Sequence, residues 1–282
     1  MTSQAARDLI WAINSPSLIR PPKDCSTDWP TCRAADFDPA NVQEFCDQDS
    51  QYRVGRYFEN LVHFYLGTVR RNEIVERGLQ IQDDRRTVGE LDFVYRDDKG
   101  SLRHCETAVK FYLYVAESND SGSQFIGPNA ADNFERKMRR LFEHQLTLGQ
   151  RSFPNVTTRE AFVKGRVFYH PLGSEPEVLP DLLAADHLKG IWIRESELEL
   201  LREGDSVTKF RIARKPHWLA PDQADLDDSS LQTVDEIMSQ LMKHFAERRT
   251  PQLVNVLTEG DEFWHESHRV FVVSDQWPND AR

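Results

Sequence analysis

The fold is decided by residues 89–115, which read GELDFVY (89–95), RDDKGS (96–101) and LRHCETAVKFYLYV (102–115). The two outer segments alternate and are rich in β-branched and aromatic residues, which favours strands. A polar turn that contains glycine and joins two such segments is typical of a β-hairpin. We therefore predict an antiparallel hairpin in this part of the chain.

One face of the predicted hairpin carries charged side chains. Because side chains alternate along a strand, Glu90 and Asp92 share a face of the first strand, and Glu106 and Lys110 share a face of the second. A tight turn places Asp92 opposite residues 104–106. We therefore expect the carboxylates of Asp92 and Glu106 to converge, while the other face of the second strand is apolar enough to pack against a helix.

These charges need a partner, because a charge on a half-buried surface costs several kcal/mol unless it is paired or bound to metal. One interpretation is an ion pair of Lys110 with Glu106 or Asp92. The other is a hard-cation site, since carboxylate oxygens suit Mg²⁺ or Mn²⁺ and a nearby ammonium stabilises charge on a phosphate.

Two helices are predicted on either side of the hairpin in sequence. Residues 54–70 show helical spacing of apolar residues, with Glu59 on the flank of the apolar stripe. A second helix is predicted from Asn129, as N-cap with Asp132 as capping-box partner, to Gly149. Gln145 interrupts the apolar stripe of this helix, so its amide needs polar partners, either strand-edge backbone groups or a cleft shared with the carboxylates.

The second helix also carries the most basic segment of a chain whose net charge is -11. Arg136, Lys137 and Arg140 are candidate nucleic-acid contacts, because nucleic-acid binding follows a local patch of cations rather than the total charge. A solvated helix face is the alternative interpretation.

The order of the predicted elements indicates a mixed α/β layered domain. Residues 1–52 are predicted to be an irregular, partly helical extension, residues 53–215 an α/β core, and residues 216–282 a linker, an amphipathic helix and a final strand. Further elements are expected at 73–82, 162–170, 190–194, 207–213 and 270–273 (strands) and at 231–249 (helix).

Length and composition exclude several classes of protein. A chain of 282 residues with 39% hydrophobic and 29% charged residues has enough apolar mass for a core. It lacks both an apolar stretch of the ~18–20 residues that span a bilayer and a secretory signal, so we expect a cytoplasmic protein with no membrane partner. Its four cysteines show no zinc-ligand spacing.

The motifs together resemble the restriction-endonuclease-like PD-(D/E)XK nuclease superfamily. The resemblance covers about residues 53–170 and rests on a helix with Gly55 and Glu59, the segment GELD at 89–92, a strand ending in Val109-Lys110, and a helix with Gln145. A narrower resemblance, to a proteobacterial domain-of-unknown-function family, rests on GELDF (89–93), AVKFYL (108–113), FIGPN (125–129), PHWLAP (216–221) and the closing Trp277-Pro278.

The wider resemblance implies a restriction-endonuclease-like three-layer core, a mixed central sheet flanked by helices, with N- and C-terminal extensions. It also implies roles: Asp92 as metal ligand, Lys110 as the lysine that polarises the attacking water, Glu59 as the helical acid and Gln145 as a further site residue. The chain departs from the pattern at Ala108, where the superfamily has an acidic residue two before the lysine. Glu106 or Glu90 would then replace that ligand.

Two functions follow from the resemblance. The first is a Mg²⁺-dependent phosphodiesterase that acts on nucleic acid. The alternative is a catalytically degenerate member of the same fold that binds nucleic acid or a protein, and Ala108 is the position that divides the two. The third alternative, an unrelated metal-dependent or small-molecule enzyme, would be favoured by a closed apolar pocket around Tyr112 and Tyr114 rather than an open cleft.

Overall fold

A computed structural model describes residues 3–48, 53–83, 86–116, 123–202 and 207–279. The helices are α1 (Gln4–Asn14), α2 (Pro39–Asp47), α3 (Val54–Phe64), α4 (Phe134–Arg139), α5 (Leu146–Ser152) and α6 (Val234–Glu247). The strands are β1 (Glu73–Asp83), β2 (Arg86–Arg96), β3 (Leu102–Tyr114), β4 (Phe125–Ile126), β5 (Thr158–Tyr169), β6 (Leu188–Arg194), β7 (Thr208–Ile212), β8 (Gln223–Asp225), β9 (Gln252–Glu259) and β10 (Phe263–Val273). Single π-helical turns continue α3 over Tyr65–Val69 and join α4 to α5 over Arg140–Gln145.

The described strands form a mixed sheet in the order β1-β2-β3-β5-β6-β10-β9-β7, with β4 beside β3 and β8 beside β10. Strands β3, β5, β6 and β10 run parallel to their neighbours in this series, and the other pairings are antiparallel. Strands from the last third of the chain therefore belong to the same sheet as the hairpin. The α/β class predicted from the sequence is confirmed.

The predicted hairpin is confirmed as β2 and β3. Their pairing runs from Arg96 opposite Leu102 to Phe93 opposite Cys105 and stops there, while β3 continues to Tyr114 beside β5. Asp92 and Glu106 occupy the first positions beyond the last pair. The two strands thus part at the point where the sequence places its carboxylates.

Helices cover both faces of the sheet around the hairpin. On one face α3 packs Phe58 and Leu61 into the same core as Cys105, Val109 and Phe111. On the other face the helix that runs from α4 to α5 packs against β3 and β5, where Phe134, Met138 and Leu141 share a core with Tyr112 and Val163. The apolar face of β3 that was expected to pack against a helix does so.

The start of the second helix differs from the prediction. Its N-cap is Asn133, whose side chain accepts a hydrogen bond from the Arg136 N–H at 2.9 Å, so the predicted cap at Asn129 is wrong. The reason is a turn before the helix, closed by the Gly127 N–H, which donates to the Asp132 carbonyl at 2.8 Å. Asp132 is thereby left outside the helix, with its side chain available to another partner.

The other predicted elements are also present. The strands predicted at 73–82, 162–170, 190–194, 207–213 and 270–273 are β1, β5, β6, β7 and β10, and the helix predicted at 231–249 is α6. Strand β9 was not predicted. None of the helices in the described ranges is both long and apolar enough to cross a bilayer.

Candidate functional site

The carboxylates of Asp92 and Glu106 lie side by side where β2 and β3 part. The backbone N–H of Asp92 points at Glu106 Oε1 at 3.4 Å. Asp92 Oδ2 accepts hydrogen bonds from Thr107, from its N–H at 2.7 Å and its hydroxyl at 3.2 Å. Each carboxylate is therefore fixed by backbone groups of the opposite strand.

Glu106 is surrounded by hydrogen-bond donors. His104 Nε2 lies 2.8 Å from Glu106 Oε1, and the Gln145 side-chain amide donates to Glu106 Oε2 at 2.7 Å. Glu106 is 1% exposed, so these contacts replace the water that a carboxylate needs. The amide in the apolar stripe of the second helix thus has its polar partner in the carboxylate site. It lies at the end of a π-helical turn, a feature that is frequent at functional sites.

His104 is held as a neutral donor by its surroundings. Burial lowers the pKa of His104 to about 4, and its Nδ1 has no hydrogen-bond partner within the described residues. The proton therefore resides on Nε2 and points at Glu106. The ring fits only because residue 149 is glycine, since a Cβ there would lie 2.1 Å from His104 Nδ1.

The pair of carboxyls holds on to a proton. Burial raises the pKa of Asp92 to about 8, with a further contribution from the charge of Glu106, and burial also raises the pKa of Glu106. Because several donors converge on Glu106, we place the negative charge there and the shared proton on Asp92.

Lys137 lies inside the site rather than on an outer surface. Its ammonium donates to Gln145 Oε1 at 3.3 Å, and its charge acts on the pKa of both Asp92 and Glu106. Burial and the neighbouring Lys110 lower the pKa of Lys137. The residue predicted as a nucleic-acid contact is thus a cation of the carboxylate site itself.

Glu59 and Glu90 lie near the pair but do not contact it. Glu59 is bound to Arg56 at 3.0 Å, and its charge acts on Asp92 and Glu106 from α3. Burial raises the pKa of Glu59. Glu90 is exposed and lies beside Gly78 of β1. These two carboxylates make the site more negative without supplying a ligand in direct contact with Asp92 and Glu106.

Lys110 is directed away from the carboxylate pair. Its ammonium donates to Asp132 Oδ2 at 2.7 Å, and both side chains are 31% exposed. The interpretation in which Lys110 pairs with Glu106 or Asp92 is therefore wrong, because Asp132, left outside the helix, takes that place. The backbone of Lys110 lies tightly against β5 at Gly165, whose φ is +146° and where a Cβ would lie 1.8 Å from the Lys110 carbonyl oxygen.

The other two predicted nucleic-acid contacts lie on the exposed side of the second helix. The Arg136 guanidinium binds the Ala131 carbonyl, and Arg140 is exposed at the start of the π-helical turn. Tyr112 and Tyr114 are buried against Phe134 and Phe125, with ring centroids 5.7 and 5.3 Å apart. Protein side chains thus fill the space that a closed apolar pocket would need.

The donor set suits a hard cation that retains water. No three His, Cys, Asp or Glu side chains in the described ranges gather as a metal-ligand group. Two neighbouring carboxylates are nevertheless the usual protein contribution to Mg²⁺, which keeps several waters and takes further oxygens from substrate phosphates. The residues present therefore fit Mg²⁺ or Mn²⁺ at Asp92 and Glu106.

Comparison with known proteins identifies the family. A family model described as a domain of unknown function (DUF1853) matches residues 7–273. This chain belongs to the DUF1853 family. The match agrees with the resemblance to a domain-of-unknown-function family drawn from the motifs. No curated protein and no solved structure matches this DUF1853 chain.

Sequence reasoning missed parts of the DUF1853 site. It did not assign roles to His104 or Thr107, it took Asp132 as a capping-box partner rather than the partner of Lys110, and it gave Lys137 a role in nucleic-acid contact. His104 shares a strand face with Glu106, which was a usable signal. The roles of Lys137 and Asp132 depend on where the helix begins, and the sequence placed that start at Asn129.

Proposed function

We propose that the chain is a divalent-cation-dependent phosphodiester hydrolase that acts on nucleic acid. The observation that carries the proposal is the proton-retaining carboxylate pair at the point where two strands part, in which Glu106 is fully buried and Asp92 partly buried. Such a pair is unfavourable as an isolated structural feature, because each charge raises the cost of the other. A function that places positive charge between them accounts for it.

In this proposal the carboxylates of Asp92 and Glu106 would hold Mg²⁺. When bound, Mg²⁺ supplies Lewis-acid activation of water and neutralises charge on the phosphate. Gln145 and His104 keep Glu106 oriented, and Lys137 offsets the negative charge of the site. Metal binding would release the proton that the pair holds, since a ligating carboxylate must be ionised.

Lys110 and Lys137 together form the cationic side of the proposed site. The two ammonium groups are close enough that the charge of Lys110 lowers the pKa of Lys137. Both would therefore favour a bound anion such as a phosphate. Lys110 would exchange Asp132 for that phosphate, since its ion pair with Asp132 is partly exposed and exposed pairs contribute only ~0–1 kcal/mol. The resemblance to PD-(D/E)XK nucleases supports the same assignment of Asp92, with Glu106 in place of the acid missing at Ala108.

A second candidate is a degenerate member of the same fold that binds nucleic acid without cutting it. It is favoured by the Lys110–Asp132 pair, which keeps Lys110 from the carboxylates, and by the two-carboxylate donor set. Binding without cleavage in the presence of Mg²⁺ or Mn²⁺ would select it.

The two candidates are separated by a cleavage assay with labelled single- and double-stranded DNA and RNA in Mg²⁺, Mn²⁺ or EDTA. The matched variants are Asp92→Asn in the site and Asp98→Asn, an exposed residue of the hairpin turn. We expect metal-dependent cleavage by the wild type and by Asp98→Asn, and loss of cleavage in Asp92→Asn. Cleavage that survives in Asp92→Asn, or its absence in the wild type with both metals, would overturn the proposal.

A further inference from the structure

A large cleft lies along the second half of β3, and its lining includes the ion pair of Lys110 and Asp132. Its volume is about 1350 Å³, and it is lined by residues 109–112 of β3 and by residues 127–132 of the turn before α4. The opposite wall comes from the last third of the chain, through residues 212–215, Trp218 and residues 249–253. The C-terminal region, to which the sequence assigns no role, thus builds half of this cleft.

The charge of the cleft is opposite to that of the chain. Its described lining contains four cationic side chains and one acidic side chain, in a chain whose net charge is -11. The cations are Lys110, Arg214, Lys215 and Arg249, and the acid is Asp132, already bound to Lys110. Arg214, Lys215 and Arg249 are exposed. A local excess of cations on three separate segments favours an extended anion over a single charged group.

The cleft also has an apolar wall. Phe111, Trp218, Pro251 and Leu253 belong to its lining. The Phe111 and Trp218 rings meet edge to face at 5.6 Å, and the Lys215 ammonium lies 4.8 Å from the Trp218 ring centroid. Proteins bind single-stranded nucleic acid with this combination of groups: cations bind the phosphates, and aromatic side chains stack on the bases.

We propose that this cleft binds a single-stranded nucleic acid segment and leads it to the carboxylate site. This inference rests on the proposed function and adds the strandedness of the substrate and a role for the C-terminal region. Lys110 connects the two places, because it lines the cleft and lies on the same face of β3 as Glu106, four residues further along the strand. A phosphate at Lys110 would therefore lie between the cleft and the carboxylates.

The size and shape of the cleft favour a strand over other anions. Small-molecule pockets measure ~300–1,000 Å³, whereas this cleft, at about 1350 Å³, has room for more than one nucleotide. The partly exposed Trp218 ring lines it together with the cations and offers a stacking surface to an unpaired base, whereas the bases of a duplex are already stacked on one another. A free nucleotide and a duplex are accordingly the two alternatives that the test must separate.

The test measures binding by fluorescence anisotropy with a labelled single-stranded oligonucleotide in EDTA, using Asp92→Asn protein so that cleavage plays no part. The altered protein carries in addition Arg214→Gln and Lys215→Gln, two exposed cations of the cleft. Each single-strand phosphate contact contributes a salt slope of ~0.7, so two lost contacts weaken binding about 25-fold at ~0.1 M salt and lower the slope by ~1.4.

The matched control removes two exposed lysines outside the cleft, Lys23→Gln and Lys243→Gln. We expect this control to bind as the parent does. An Asp132→Asn variant should bind more tightly than the parent, because it removes the one acid of the described lining and frees Lys110. Three results would each overturn the inference. The cleft variant and the control could lose the same affinity for the oligonucleotide, the protein could bind a duplex more tightly than the single strand, or it could bind a mononucleotide as tightly as the oligonucleotide.

Failure of this inference and failure of the proposed function give different results. Cleavage that requires Asp92 but is indifferent to Arg214→Gln and Lys215→Gln would refute the cleft and leave the hydrolase. Binding that depends on these two cations, without cleavage by the wild type, would support the cleft and refute the hydrolase.

Discussion

Replacement of Asp92 by asparagine should stabilise the metal-free protein at neutral and alkaline pH. In the folded chain the carboxyl of Asp92 keeps its proton up to a pKa of about 8, because it is buried beside Glu106. In the unfolded chain the same carboxyl ionises near pH ~4. Between these values the folded state binds more protons than the unfolded state, so the stability of the wild type falls as pH rises.

The size of the effect follows from the pKa difference. One pKa unit corresponds to ~1.4 kcal/mol. The free energy of unfolding of Asp92→Asn should therefore exceed that of the wild type, and the difference should increase with pH at a rate of at most ~1.4 kcal/mol per pH unit. Asp92 keeps some contact with solvent, which reduces the shift, and we expect a total gain of about 2–4 kcal/mol by pH ~8. Asparagine Oδ1 can still accept from the Thr107 N–H, so the fold is retained.

The assay is urea unfolding in EDTA at several pH values between pH ~5 and ~8, for the wild type, Asp92→Asn and the control Asp98→Asn. His63 and His104, whose pKa values burial lowers to about 4, make stability rise with pH in the acidic range. They act in every variant, so the difference between variants isolates Asp92. A difference that does not change with pH would refute the reasoning, as would destabilisation of Asp92→Asn throughout.

Two further predictions concern glycines that the site requires. Gly149→Ala should lower the free energy of unfolding by about 1–3 kcal/mol and weaken metal binding, because its Cβ would lie 2.1 Å from His104 Nδ1. Denaturant unfolding measures the stability and calorimetry the metal affinity. Values equal to those of the wild type would contradict this prediction. Gly55→Ala is the control, since no atom of the described residues lies within 4 Å of its Cβ, and the free energy of unfolding should rise by ~0.5–1 kcal/mol because alanine is a better helix former than glycine. Gly165→Ala should cost more than ~2 kcal/mol, because its φ is +146° and its Cβ would lie 1.8 Å from the Lys110 carbonyl. A melting temperature equal to that of the wild type would show that β5 can move away.

The hairpin was predictable because its signals are local. Alternation, a polar turn and the facing positions of Asp92 and Glu106 all follow from the strand period of two. Strand β9 escaped because its residues Gln252–Glu259 lie between β7 and β10 and bury Leu253, Val254, Val256 and Leu257 on both faces. A strand covered on both faces loses the alternation that identifies it.

The partners within the site were harder to predict than its carboxylates. Gln145 was identified because an amide in an apolar stripe demands a partner, and that partner is Glu106. The direction of Lys110 depends on Asp132, whose position is set by a turn and a helix start that the sequence placed four residues too early. Lys137 was grouped with Arg136 and Arg140 because they lie close in sequence, whereas its contact with Gln145 depends on how the helix packs against the sheet.

The most direct test of the central claim, that Asp92 and Glu106 together hold a divalent cation, is calorimetric titration of Mn²⁺. The proteins are the wild type, Asp92→Asn, Glu106→Gln and the control Asp98→Asn, each checked for folding. We predict that Mn²⁺ binds to the wild type and the control, and that binding is lost in both site variants. In the wild type, binding should release a proton below pH ~8, where Asp92 still holds it, and the release should disappear at higher pH. Absence of binding in the wild type at millimolar Mn²⁺, or undiminished binding in Asp92→Asn, would contradict the account.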